Sequence, residues 1–352
     1  MTGSSPVAPL APVLVIGANG YLGSHVTRQL VEAGQDVRVM VREDAVTSGK
    51  TVGIDDLIDD GAVTRFTGDI WNAAVLREAM TGCDVVYYCV VDTRGWLRDP
   101  APLFRTNVDG TRHVLDIATE PAIAAGLRKF VFTSSYVTVG RRRGRTATEN
   151  DEIADERRLT PYVRSRLRAE RLVLDYARSR GLPAVAMCVS TTYGAGDWGR
   201  TPHGAIIAGA AFGKLPFVMG GIELEAVGID DAAQALLLAA EKGHVGERYL
   251  ISEKMISNAE VVRIAAEAAG VPAPTRTIPL AVSYAMAAAG SLKGLLTGTD
   301  QRLSLGSLRL MRAEAPVDCT KAKRELGWQP RPVEESIRDA ATFWVNLRAA
   351  RR

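Results

Sequence analysis

Residues 13–23 read VLVIGANGYLG, and few folds accept that order. Four aliphatic residues in a row make a buried strand, and the glycines after them turn the chain into a helix opening at Tyr21. Gly17 permits a tight turn. Gly20 lets backbone approach a pyrophosphate closely, and Gly23 lets the helix lie against the strand. The helix N-terminus then presents unbonded N–H groups and the positive end of its dipole. Asn19, Tyr21 and Leu22 complete this candidate dinucleotide cradle.

The same alternation continues. Strand-like runs at 13–17, 37–41, 63–67, 84–88, 129–133 and 184–189 are separated by helical patterns over 21–33, 72–81, 103–125 and 160–180. Continuous apolar strands between helices predict an α/β architecture, a Rossmann doubly wound parallel sheet covered on both faces. Residues 13–193 form the dinucleotide-binding domain in this reading. Beyond 193 the pattern loosens into glycine-rich loops, a helix near 230–241, a strand-like run at 247–251 and Ala-rich helices. Residues 194–352 are therefore expected to form mainly a smaller, discontinuous substrate-binding part, with 226–262 returning to the sheet. Residues 1–12, small and Pro-rich, read as a loose tail.

Composition narrows the function classes. Hydrophobic residues at 47% and charged residues at 24% suit a soluble globular chain, and a net charge of +3 over 352 residues does not argue for nucleic acid. Cys83, Cys89, Cys188 and Cys319 show no CxxC, and the four histidines no metal spacing, so no metal and a reducing cytoplasm are expected. The apolar stretch 279–296 is interrupted by Gly290, Ser291 and Lys293 and is expected to fall short of a membrane span. Residues 280–311 read as a lid helix pair.

The second strand ends Val41-Arg42 rather than in the acid that usually holds the ribose 2′-hydroxyl of NAD. A guanidinium there can pair with a 2′-phosphate, so NADP is favoured over NAD.

With GANGYLG, TGDIWN (67–72), FRTNVDGT (104–111), FTSSYVTVG (132–140), TPYVRSR (160–166), STTYGAGDW (190–198) and VGIDDAAQALLLAAE (227–241), the chain resembles the extended short-chain dehydrogenase/reductases. Within them it is similar to the branch of dihydroflavonol reductases, 3β-hydroxysteroid dehydrogenases and NAD-dependent epimerase/dehydratase relatives, and VDTRGWLRDPAPLFRTNVDGT (91–111) carries that flavour. The resemblance implies a carbonyl–alcohol oxidoreductase. Ser135 would hydrogen-bond the reacting oxygen, Tyr162 would be the general acid/base, and Asn107 would lie beneath the site. Asp69 and Ile70 would meet the adenine; Cys89, Val90, Thr133, Thr191 and Thr192 would line the cofactor path. Asp92, Trp96, Tyr136 and Trp198 are substrate-side candidates. The helices at 103–118 and 160–178 would pair two copies as a homodimer.

One departure stands out. The family's lysine, four residues after the tyrosine, is Arg166, in a chain with 35 Arg and 8 Lys. The spacing puts residues 162 and 166 on one helix face, with Thr160 as cap and Pro161 in the first turn. A cation about 4 Å from a phenol is worth roughly 4 kcal/mol at an effective dielectric near 20, enough to bring its pKa from about 10 towards 7. A guanidinium keeps that charge but does not relay a proton. Three outcomes stay open: a working reductase, a sugar epimerase/dehydratase-like enzyme, and a non-catalytic NADP-binding sensor. Cys89-Val90-Val91, bulky where small residues let a cofactor pass, bears on the last. RRRGR at 141–145 either holds an anionic substrate group or is a solvated loop.

Overall fold

The structure, a computed structural model, describes residues 11–43, 45, 52–142, 144–199, 201–311 and 315–350. Strands β1 (Val13–Ile16), β2 (Val37–Val41), β3 (Val63–Thr67), β4 (Val85–Tyr88), β5 (Lys129–Ser135) and β6 (Ala184–Val189) fall within two residues of the expected bounds. With β10 (Arg248–Ile251) they form a seven-stranded sheet in the order β10-β6-β5-β4-β1-β2-β3, all pairs parallel. The expected α/β Rossmann fold is therefore present.

Side chains alternate across the strands. Leu14, Ile16, Val86, Tyr88, Phe130 and Phe132 enter one core, under helices α2 (Ala73–Met80), α3 (101–118) and α4 (Pro161–Arg180). Val13, Val15, Val85, Tyr87 and Val131 enter the other, against α1 (Tyr21–Glu32). Full burial of each large side chain is worth about 1.5–3 kcal/mol, so both faces must stay covered. Helix α3 runs from Ala101 through Phe104, continues as a π-helical stretch Arg105–Gly110 and resumes over Thr111–Ala118. Helix α4 starts where expected: the Thr160 hydroxyl accepts from the Val163 N–H, Pro161 is in the first turn, and Gly181 ends it at φ +69°.

After β7 (Thr191–Tyr193) comes α5 (Pro202–Ala211), followed by the short strand β8 (Val218–Met219). Strand β9 (Glu223–Gly228) leads into α6 (Ile229–Lys242), which packs on the sheet; β10 (Arg248–Ile251) then joins the sheet beside β6. Strand β11 (Lys254–Ser257) completes a second sheet, β11-β9-β7, and α7 (Asn258–Ala268) follows. The pair expected over 280–311 is α8 (Leu280–Thr297) and α9 (Leu305–Leu310). Gly290, Ser291 and Lys293 do not break α8: it is one helix of 18 residues, long and apolar enough by length and composition to cross a membrane, with mean hydropathy 1.2. Val282, Met286, Leu292, Leu295 and Leu296 on it are exposed. Helices α10 (Thr320–Leu326) and α11 (Val333–Ala349) close the chain.

Candidate active site

The glycine cradle forms at the carboxyl end of β1. Gly17 has φ +87°, and a Cβ there would lie 3.1 Å from Cys89 backbone. A Cβ on Gly23 would lie 2.2 Å from the Gly17 carbonyl oxygen, so α1 packs onto the turn only because residue 23 is glycine. No side chain caps α1 and no acid lies in its first turn. Its positive end is therefore uncompensated where Asn19 and Gly20 wall a groove of about 570 Å³. Arg42, Asp69 and Ile70 line the groove from the ends of β2 and β3, and Cys89, Val90 and Asp92 from the end of β4.

Not every expected cofactor contact lines it. The Tyr21 hydroxyl donates to the Gly194 carbonyl at 2.9 Å and ties α1 to the loop after β7. Leu22 packs into the core, and Thr191 and Thr192 pair with β9. The Thr133 hydroxyl donates towards the Cys89 sulfur at 3.5 Å, and burial pushes the Cys89 thiol up to about 11.

Ser135, Tyr162 and Arg166 come together where β5 ends and α4 begins. The Ser135 hydroxyl is a hydrogen-bond partner of the half-buried Tyr162 phenol. Burial raises the Tyr162 pKa; the Arg166 charge and the Ser135 hydroxyl oppose that and do not outweigh it. The expectation of a phenol brought near neutrality is corrected, because dehydration costs the phenolate more than the neighbouring cation returns. Arg166 is 1% exposed. Its Nη2 donates to the Thr133 carbonyl, its guanidinium lies 5.3 Å from the Phe132 ring centre, and its Nε and Nη1 have no partner. Two buried donor nitrogens without acceptors are costly. Their position at the end of β5, together with a cradle only glycines can form, fits a dinucleotide whose ribose hydroxyls would accept from them.

Asn107 is fully buried in the π-helical stretch, where it exchanges hydrogen bonds with the Asp92 backbone at 2.8 and 3.0 Å and donates to the Ser165 hydroxyl at 3.0 Å. It ties the loop after β4 to α4 and is a positioning residue. The Asp92 carboxylate is held by Arg94 at 2.6 Å. Trp96 lies under the Arg302 guanidinium (5.5 Å), beside the α8–α9 pair, and Tyr136 is buried under Arg141 (5.0 Å). Trp198 packs edge-on against Phe343 of α11 and lines neither the groove nor the second cavity described below.

Sequence reasoning missed two features. Arg94 lines the groove; it lies in VDTRGW, two residues after Asp92. Glu170, 1% exposed, accepts from Ser134, from Thr138 (2.6 Å), from the Cys188 thiol (3.2 Å) and from Arg248 (2.9 Å). Its signal was a charge four residues beyond Arg166 on the same face of α4.

Residues 13–252 match the NAD-dependent epimerase/dehydratase family. The chain belongs to that family. It is 28% identical over 338 residues to a Synechocystis protein provisionally named dihydroflavonol 4-reductase, covering 94% of each chain. It is 27% identical to the 4-hydroxy-2-methyl-3-oxo-4-farnesyl-3,4-dihydroquinoline-1-oxide ketoreductase of Stigmatella aurantiaca, covering 93% of this chain and 94% of that one. The crystal structure of gox2253 superposes with a TM-score of 0.81 at 30% identity, covering 96% of this chain and 98% of that one. Its relatives in this epimerase/dehydratase family include both reductases and sugar enzymes, so an NAD(P)-dependent oxidoreductase or epimerase is supported.

Proposed function

We propose that the protein is an NADP(H)-dependent oxidoreductase interconverting a carbonyl and an alcohol on a small hydrophobic or ring-shaped substrate. The observation that carries this reading is Arg166: a buried guanidinium behind a tyrosine–serine pair, with two N–H groups lacking acceptors. Resemblance to named reductases supports it.

A bound nicotinamide would supply or accept the hydride. Ser135 would donate a hydrogen bond to the carbonyl oxygen and fix its distance from Tyr162. The phenol, kept protonated by its burial, gives its proton to the developing alkoxide. The Arg166 charge steadies the tyrosinate left behind, and its Nε and Nη1 would hold the ribose hydroxyls. Since the guanidinium does not relay protons, Tyr162 is reprotonated from solvent. Arg42, on the groove wall, would pair with a 2′-phosphate and so favour NADP over NAD.

The test is titration with NADPH and NADH by fluorescence, then steroid, flavonoid-like, terpenoid and aromatic ketones followed at the nicotinamide absorbance. Tyr162→Phe should lower turnover about 10²–10⁴-fold with NADPH affinity intact. A variant that keeps the wild-type rate would sink the role given to Tyr162. One observation favours a second, non-catalytic reading: Val90, a bulky residue, lines the groove, with its Cγ2 3.0 Å from where a Gly17 Cβ would be. Tight NADPH binding with no ketone oxidising it would favour that sensor.

A further inference from the structure

A second cavity, of about 600 Å³, lies beside the cofactor groove and shares no lining residue with it. Its floor is apolar: Val137 and Val139 from the segment after β5, Val163 from α4, and Leu310 from α9. Tyr162 lies close to residues bordering each space. A Cβ on Gly95, next to the groove residue Arg94, would lie 3.3 Å from the Tyr162 Cβ and 3.2 Å from a Leu310 methyl. Val137, two residues after Ser135, and Val163, next to Tyr162, line the second cavity, which therefore lies close to the Ser135–Tyr162 pair.

Its walls carry five arginines and two carboxylates. Both carboxylates are already engaged: Asp151 with Arg145 at 3.1 Å, and Glu152 with Arg248 at 3.0 Å. Arg158 pairs outside the cavity with Asp155 at 3.4 Å. That leaves Arg141, Arg142 and Arg309, none within ion-pair distance of a carboxylate among the described residues, although Glu225 and Asp151 feel Arg141 and Arg142 from further off. Arg141 is the telling one. Its guanidinium lies over the buried Tyr136 ring, next in sequence to Ser135, and its Nη1 is buried with no hydrogen-bond partner. Three cations around an apolar floor repel one another and gain from an anion between them. Arg143, next to Arg142 in sequence, lies outside the described residues.

We infer that this cavity receives an oxyanion, carboxylate or phosphate, carried by the substrate. Arg141, Arg142 and Arg309 hold the oxyanion, and the valine floor takes the carbon skeleton between it and the reacting carbonyl. The reading deepens the proposed function, on which the carbonyl's place rests; the oxyanion site itself does not depend on turnover. It restricts the substrates to anionic ketones or aldehydes rather than neutral ones of the same shape.

The experiment uses two acid–ester pairs, 4-acetylbenzoate and 10-oxoundecanoate with their methyl esters, titrated calorimetrically into the NADP⁺-loaded protein. The acids should bind at least tenfold tighter than the esters, with affinity falling as salt rises. Arg142→Gln and Arg309→Gln, both at exposed positions, should each remove most of that preference, with NADPH affinity as the check on folding. Acid and ester binding within twofold of each other overturns the inference, as does a preference that survives in the double variant. Inorganic phosphate displacing the acids marks a site that takes either oxyanion; failure to displace them assigns a carboxylate site, and both results keep the inference. Turnover separates it from the parent reading. Acids that bind tightly and are not reduced leave the anion site standing and remove the carbonyl-reductase function. Acids and esters reduced with equal kcat/KM do the reverse.

Discussion

Two arginines lie deep in this molecule near the same helix, and they are opposites. Arg248, on β10, donates to the Glu149 carbonyl (2.8 Å), to Glu170 (2.9 Å) and to Glu152 (3.0 Å). Arg166, one turn before Glu170 on α4, donates to a single carbonyl and keeps two donors unpaired. Both are buried. The difference lies in what surrounds them. A guanidinium saturated by protein acceptors is part of the scaffold, here pinning the 149–152 segment and β10 to α4. One with buried donors left unpaired can take an acceptor from outside, which the proposed cofactor would supply. Scaffold and site thus share one helix face, and the scaffold's ion pair fixes where the site's cation stands.

That contrast can be broken from either side. Glu170→Ala leaves Arg248 without its buried carboxylate and takes from Ser134 the acceptor of its hydroxyl, while Thr138 keeps the Ser135 carbonyl. We expect a loss of about 3–5 kcal/mol, read as an earlier midpoint in denaturant unfolding. An unchanged midpoint would mean that Glu170 is not the anchor. Arg166→Met should do the reverse. It removes an unsatisfied charge, so stability without cofactor should hold or rise. NADPH should bind about 10–100-fold more weakly, the worth of hydrogen bonds from a charged donor. If stability collapses and binding does not change, the two arginines have been assigned the wrong way round.

How much of this was legible in the sequence follows from how far apart the interacting residues lie. The strands and the GANGYLG cradle are local: each depends on apolar runs and glycines within a few positions. Residues 129–133 were expected as strand and Lys129–Ser135 is observed, because Ser134 and Ser135 pair with Cys188 and Val189 of β6 despite their polarity. The 162/166 pairing was also readable, being one helical turn. The partners of Arg248 were not, since Glu170 lies 78 residues before it in the chain and only the β6–β10 pairing brings them together. Asn107 was placed beneath the site by resemblance; its role as a clamp on the Asp92 backbone depends on a π-helical stretch that no propensity announces. Trp198 was expected at the cleft, but the return of α11 gave it Phe343 as a partner. The arginine-walled cavity was half visible, as RRRGR; Arg309, its other wall, comes from α9.

The proton chemistry sharpens the comparison further. Because the Tyr162 pKa lies above its ordinary value, the phenol is an acid at neutral pH and a base only in alkali. Carbonyl reduction should therefore stay level from neutrality upwards and fall as pH approaches the phenol's pKa. Alcohol oxidation, which needs the tyrosinate, should climb up to tenfold per pH unit below that pKa. Arg166 opposes the burial, so Arg166→Met should move the oxidation limb to higher pH. Stopped-flow pH profiles in both directions check this. An oxidation limb centred near pH 7 would show that the bound state reverses the effect of burial.

The smallest expected effect decides whether Arg166 is merely tolerated or is what the site is built around. Arg166→Lys keeps the charge but replaces a planar fork by one ammonium on a flexible stem. In this structure Nη2 reaches the Thr133 carbonyl while Nε and Nη1 stay available. One ammonium cannot match that fixed division of labour between scaffold and ligand. Losing one hydrogen bond of about 0.5–1.5 kcal/mol predicts NADPH binding weaker by about 2–10-fold, with kcat following. A rise in kcat would instead make the arginine an accident of an arginine-rich chain. It would show that the unsatisfied donors hold nothing in the productive complex, and the contrast with Arg248 would then reduce to packing alone.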